Sequence, residues 1–201
     1  MTFRLEEKIF IENFNLFEFK KWLALKGAKV LFPKRIINSV YFDNNLKMYI
    51  DSVEGVTPRK KIRIRTYECE KFLYSIRFNK EIKTTFYNYR DKKVQKYYLK
   101  KNTLNNSIFD ETYGICNPIL NVVYERSYYQ LNDVRLTIDE NIKYFLVSNG
   151  IISNFGIKEK EKVVEIKSNN INAHDYLKSL LPLPRSRFSK YCRGVELLNL
   201  Y

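Results

Sequence analysis

Residues 59–67 read RKKIRIRTY, with Arg59, Lys61, Arg63 and Arg65 at every second position and Ile62 and Ile64 between them. A period of two is the signature of a β-strand, so the four cations share one face and the two isoleucines share the other. Neighbours on such a face lie about 7 Å apart, and the row repels itself unless something anionic lies along it. A merely solvated face mixes its signs more often. The fold must therefore cover one side of this strand with apolar groups and offer the other to negative charge.

The same device recurs along the chain. In RLEEKIFI, Arg4, Glu6 and Lys8 share a face; in FLYSIRF, Ser75 and Arg77 do; in VVYERSYY, Tyr124, Arg126 and Tyr128 do. VRLTIDE aligns Arg135, Thr137 and Asp139, and VVEIKSN aligns Glu165 and Lys167. Converging rows of this kind enclose a water-filled basic channel with a few carboxylates, their apolar partners facing outward against helices. Strands are predicted at 3–11, 36–43, 58–67, 71–79, 84–90, 121–130, 133–139, 161–168 and 189–198, from their Val, Ile, Tyr, Phe and Thr content. Eight or nine strands in one domain suggest a sandwich or a barrel. Three helices are predicted. One is FNLFEFKKWLALKG, with Asn15 as N-cap, Glu18 completing a capping box, Phe14 and Phe19 as a staple and Gly27 as terminator. Two shorter ones are NNLKMYIDSVEG and NINAHDYLKSLL. The expected fold class is α+β, an antiparallel sheet with helices packed outside it.

At 201 residues and 45% apolar content the chain can bury a substantial core, and the expectation is one domain spanning 1–201. Thirty-six Lys and Arg against 22 Asp and Glu give +14, which points to a polyanionic partner: nucleic acid, an anionic membrane surface, or a phosphate-rich molecule. Cys69, Cys116 and Cys192 are far apart and lack metal-site spacing, so they read as reduced and structural, which suits a cytoplasmic protein. The start has no apolar signal-peptide core, and no apolar run is long enough to span a bilayer. His174 stands away from every charged row and forms no dyad with a nucleophile, so it reads as structural. Tyr41, Tyr67 and Tyr124 read as packing aromatics.

The segments RLEEKIFI, SVYFD, RKKIRIRTY, VYERSYY, RLTIDENI, VVEIK and RFSKY occur in the order and at about the spacing of the VTC domain, and the chain resembles that family over nearly its whole length. The family is the polyphosphate-polymerase branch of the triphosphate tunnel metalloenzymes. The resemblance implies an antiparallel β-tunnel of about eight strands with a basic interior. It also implies a divalent metal, Mn2+ or Mg2+, and transfer of the ATP γ-phosphoryl group to a growing polyphosphate chain. By position, Lys8, Arg126 and Arg135 match phosphate-gripping residues, Arg63 and Arg65 the paired arginines, and Glu165 the metal-binding glutamate. Arg187, Ser189 and Lys190 of RFSKY match the segment near the transferred phosphate, with Lys190, Arg63 and Arg65 taken as catalytic. Glu6 is the second metal candidate, with neutralisation of Lys8 as its other reading; Glu165 could instead pair with Lys167. Lys61 joins the phosphate-binding set, although it and Arg59 could simply steer anions at a tunnel mouth. Arg77, standing where relatives carry a lysine, joins the phosphate-binding set, and Arg4 replaces the first glutamate of the hydrolytic branch.

Three functional classes follow. A polymerase needs no base, because the acceptor end is already an oxyanion. A triphosphate or nucleotide hydrolase needs a carboxylate to position water, and Arg4 and Ser75 stand where such groups would be. A non-catalytic polyanion binder is the third. Nucleic acid is disfavoured, because its binders put aromatics and basic residues together on an open face. The expected partners are ATP or another nucleoside triphosphate and polyphosphate, with room for a membrane-protein partner encoded separately.

Overall fold

The computed structural model describes residues 5–11, 13–67, 71–72, 77–87, 89–98, 104, 106–170, 172, 175 and 187–201. Strand β1 (Leu5–Ile11) leads into helix α1 (Asn13–Leu25), and the long β2 (Lys29–Asp43) into α2 (Lys47–Glu54). Then come β3 (Arg59–Thr66), β4 (Phe78–Thr85), β5 (Arg90–Tyr97) and the short β6 (Ile108–Asp110). Strands β7 (Gly114–Leu131), β8 (Val134–Ser148), β9 (Ile151–Lys158) and β10 (Lys162–Ser168) precede α3 (Lys190–Leu197). The hydrogen-bonded strand order is β1-β10-β8-β7-β2-β3-β4-β5, with β6 on β7 and β9 on β8. The fold is α+β with a mainly antiparallel sheet and few helices, as expected.

Contacts divide the chain into two compact units. The first comprises Met1–Arg35, Tyr124–Ile142 and Glu159–Phe188; the second comprises Ile36–Val123, Lys143–Lys158 and Ser189–Tyr201.

In the first unit, alternation sends Ile9 and Ile11 of β1, Leu136 and Ile138 of β8, and Val164 and Ile166 of β10 to one side. There they meet Leu16, Phe19 and Leu23 of α1, one helical face at spacings of three and four. Each such side chain contributes about 1.5–3 kcal/mol of burial. The apolar rows thus pack against a helix, as the strand pattern predicts. Helix α1 ends where predicted: Gly27 is left-handed at φ 73°, with Gly27 N–H donating to Ala24 O and Ala28 N–H to Leu23 O. It starts earlier than predicted, at Asn13, so Asn15 lies inside the first turn and is not the cap.

In the second unit Ile62 and Ile64 of β3 are fully buried, together with Val40, Phe42 and Val122. The cations between the isoleucines therefore share the other face. Helix α3 corrects the expected strand at 189–198. Ser189 caps it by accepting a hydrogen bond from Cys192 N, and its buried residues Tyr191, Gly194 and Val195 are spaced by three and one, a helical face with no period of two. Gly194 is there because the helix touches the sheet: a Cβ would come within 2.7 Å of Leu120 and Tyr144 side-chain carbons.

The expected strand at 84–90 instead spans the last residues of β4, the turn between β4 and β5, closed by Phe86 N–H to Tyr89 O with the two rings stacked 4.3 Å apart, and the first residue of β5. Of the strand expected at 71–79, β4 takes only the end from Phe78; Ser75 lies outside the described residues. So do Arg4, Cys69 and His174, and the helix expected at 170–181 apart from Asn172 and Asp175, which are helical. Strand β5 beyond its first residue, strands β6 and β9, and the reach of β2, β7 and β8 were not anticipated.

Candidate functional site

Each unit holds a cluster of charged side chains that includes residues singled out in the sequence. In the second unit, register builds the cluster. Antiparallel pairing sets Arg63 opposite Tyr41 of β2 and Glu81 of β4, and Arg65 opposite Ser39 and Asn79. Arg63 donates from Nε and Nη2 to Glu81 Oε2 at 2.8 and 2.6 Å, and from Nη1 to Tyr41 Oη at 2.9 Å. Arg65 Nε donates to Ser39 Oγ at 2.9 Å, and its Nη1 lies 3.7 Å from Glu81. Lys92 of β5 donates to the other Glu81 oxygen at 2.9 Å, and Tyr67 Oη reaches it at 3.3 Å.

Burial alone would push the Glu81 carboxyl up. The charges of Arg63 and Arg65 and the Lys92 contact win and hold it far below the usual carboxylate range, so it is ionised. Burial likewise raises the Tyr41 phenol, but Arg63, Arg65 and Lys190 outweigh it and bring its pKa below the ordinary value. Lys190, the first residue of α3, therefore feels the same face as Arg63. Lys61 Nζ donates to Ser189 Oγ at 2.8 Å and lies 3.7 Å from Cys192 Sγ; burial lowers its pKa. Behind the face, the Tyr41 ring stacks on Tyr191 at 5.3 Å, and Tyr191 donates to Asp43. Asp43 also accepts from Asn44, Met48 and Tyr49 N–H, which fastens the start of α2.

In the first unit, β1, β10 and β8 align two rows of partners: Lys8, Glu165 and Thr137, and beside them Glu6, Lys167 and Arg135. Lys167 lies 2.8 Å from Glu165, and Lys8 3.6 Å from Glu6. Lys8 also donates to Phe188 O at 2.8 Å. Arg126 forks onto Asp139 at 2.5 and 2.7 Å and lies 3.7 Å from Glu165. Glu165 is in hydrogen-bonding contact with Glu6. Burial pushes the Glu165 carboxyl up, but Lys167 and Arg126 hold it well below the usual range. Arg135 and Lys167 line a cavity of about 430 Å3 with Gln130, Asp133, Ser168 and Asn170. The Arg135 ring contact is with Tyr128, 5.5 Å away.

The structure thus brings Lys61, Arg63, Arg65, Ser189 and Lys190 together in one unit, and Glu6, Lys8, Arg126, Arg135 and Glu165 in the other. Arg77 and Arg187 are exposed, the first just before β4 and the second before α3. Sequence reasoning passed over Glu81 and Lys92. The signal was present in FNKEIKTT, where Asn79, Glu81 and Lys83 alternate with Phe78, Lys80 and Ile82, but a strand break expected near 80 hid it.

These features define a class: an α+β protein whose mainly antiparallel sheet carries basic strand faces. The VTC domain model matches residues 3–199, and the chain belongs to the VTC-domain family. Among solved structures it is similar to a candidate adenylate cyclase from Vibrio parahaemolyticus, 15% identical, with a TM-score of 0.53 and 98% of each chain covered; that likeness bears on the fold alone. No curated protein matches the chain. Among the described residues, no helix is long and apolar enough to cross a membrane.

Proposed function

We propose that the protein is a polyphosphate polymerase, moving the terminal phosphoryl group of ATP onto the end of a polyphosphate chain. The observation that carries the reading is the clustering of positive charge on one face of the second unit, where Arg63, Arg65 and Lys92 surround Glu81, with Lys61 on Ser189 and Lys190 near Tyr41 beside them. Phosphoryl transfer asks for positioning and for positive charge around oxygens that carry it in the transition state. Arginine forks hold the non-transferred oxygens in a fixed geometry, and a lysine follows the moving group as a compact charge. Arg63 and Arg65 take the first role and Lys190 the second. Lys61 and the α3 cap at Ser189 fix how Lys190 enters the face. The acceptor terminus is an oxyanion at neutral pH, so no base removes a proton from it.

A divalent metal of the Mg2+ or Mn2+ kind takes one or two carboxylates and fills its remaining positions with phosphate oxygens and water. Glu6 and Glu165, in contact and flanked by Lys8 and Lys167, suit that demand. No group of three or more His, Cys, Asp or Glu forms a closed site among the described residues, which suits a metal that arrives with its nucleotide. When bound, the metal would neutralise charge on phosphate oxygens; Lys167 and Arg126 hold the Glu165 carboxyl ionised.

The test is to incubate the protein with ATP and Mn2+, with and without a short polyphosphate primer, and resolve products by length, with Lys190→Ala and Glu165→Gln alongside. Chains longer than the primer, lost in both variants, are expected. Orthophosphate released without elongation would make the protein a hydrolase, and tight triphosphate binding with neither product would make it a binder.

A further inference from the structure

The basic face of β3 is not empty of anion: the protein supplies one of its own. Glu81 sits directly across from Arg63 on β4, only 2% exposed, and its two oxygens accept from Arg63 Nε and Nη2, Lys92 Nζ and Tyr67 Oη, with Arg65 Nη1 at 3.7 Å. That pattern, a forked guanidinium with further cationic and hydroxyl donors about one planar anion, is the one a phosphoryl group would receive. We infer that Glu81 is a specificity-determining residue of this face, a built-in stand-in for phosphate that only a ligand carrying several negative charges can displace or outbid. The inference rests on the reading of this face as a phosphate-binding one and extends it to which phosphates are accepted.

The physical argument is one of exchange. A small anion that takes the Arg63 fork replaces one carboxylate by one phosphate and leaves the buried Glu81 without its two shortest donor contacts, which offsets what the new contact returns. An anion that settles beside Glu81 meets its repulsion across a few ångströms of poorly solvated space. A chain of phosphates engages Lys61, Arg65 and Lys190 as well, so its gain exceeds the loss. Glu81 would thereby exclude cellular orthophosphate and pyrophosphate while admitting triphosphates and polyphosphate.

The experiment is calorimetric titration of wild type, Glu81→Gln and Glu81→Asp with inorganic phosphate, pyrophosphate and tripolyphosphate, free of metal and at fixed ionic strength. Glutamine keeps the shape and removes the charge, and phosphate and pyrophosphate are expected to tighten by about tenfold, tripolyphosphate by less, so that discrimination narrows. Aspartate keeps the charge but withdraws it by one methylene, and an intermediate narrowing is expected. Equal weakening of all three anions in Glu81→Gln would mean that Glu81 only holds the arginines, and an unchanged ratio would mean that it plays no part in selection; either overturns the inference. If the glutamine variant does not fold, Glu81→Asp decides alone, since a wild-type ratio there overturns it equally. The elongation gel run in parallel separates the two readings: lack of elongation with narrowed discrimination in the variant removes the polymerase and leaves the selection.

Discussion

The two charged clusters are built from the same residue types on the same kind of strand, yet their charges are balanced differently. In the first unit, Asp139, Glu165 and Glu6 stand against Arg126, Lys167 and Lys8, with Arg135 beside them. In the second, Arg63, Arg65 and Lys92 converge on Glu81, with Lys61 on Ser189 and Lys190 near Tyr41 beside them. The first set pairs each carboxylate with cations on neighbouring strands, whereas the second draws several cations onto one carboxylate, Glu81. The difference teaches that the same residue types can be shared out in pairs or converged on one centre.

The largest effect that could break this contrast is on folding. Asp139 is fully buried, and Arg126→Ala removes the two forked contacts to its carboxylate, so the first unit should lose about 3–5 kcal/mol in denaturant titration. A variant as stable as wild type that fails only in ligand binding would show that Arg126 belongs to the ligand.

Next comes Arg63→Ala. It should weaken tripolyphosphate by about 2 kcal/mol, or roughly 30-fold by titration, while leaving the melting temperature much closer to wild type than Arg126→Ala does. Equal destabilisation by both arginines would erase the distinction between the clusters.

Acid sharpens the comparison further. Glu165 and Glu81 both have folded-state pKa values below the unfolded one, so the stability they contribute is present above about pH 4.3 and is lost as pH falls through the folded values. Burial raises the pKa of Asp43, so its contribution runs the other way and fades as pH rises through its folded value. Glu165→Gln should flatten the acid limb of a stability profile taken between pH 6 and pH 2. An unchanged limb would mean that its pairing with Lys167 and Arg126 contributes nothing net.

The smallest expected effect is at the α3 cap: Ser189→Ala should cost about 1 kcal/mol in denaturant titration and also remove an acceptor from Lys61. If only binding changed, Ser189 would be a ligand contact more than a cap.

Alternation made most of this legible. The face shared by Arg63 and Arg65, the row of Lys8 with Glu6, and the pairing of Glu165 with Lys167 all follow from period two, and the residue-by-residue match to the VTC domain supplied the family. What alternation could not deliver was pairing. Glu81 matters because it faces Arg63 across two strands, and β4 carries only Phe78 and Ile82 as apolar markers among charged and hydroxyl residues, so its extent was hard to see. Helix α3 was misread because Tyr191, Val195 and Leu197 suit a strand by composition, whereas the cap at Ser189 and the close approach at Gly194 are properties of packing.

The contact series from the start of α2 to Arg63 has a consequence for how the site tolerates change. Asp43 fastens the helix start and accepts from Tyr191, the Tyr191 ring lies on Tyr41, and Tyr41 accepts from Arg63. The guanidinium is thus aimed through Tyr41, Tyr191 and Asp43 as well as by Glu81. Surveys of natural or laboratory variation that score only the charged face would miss positions 43 and 191, where a change as slight as Tyr191→Phe would leave every cation present and their aim loosened.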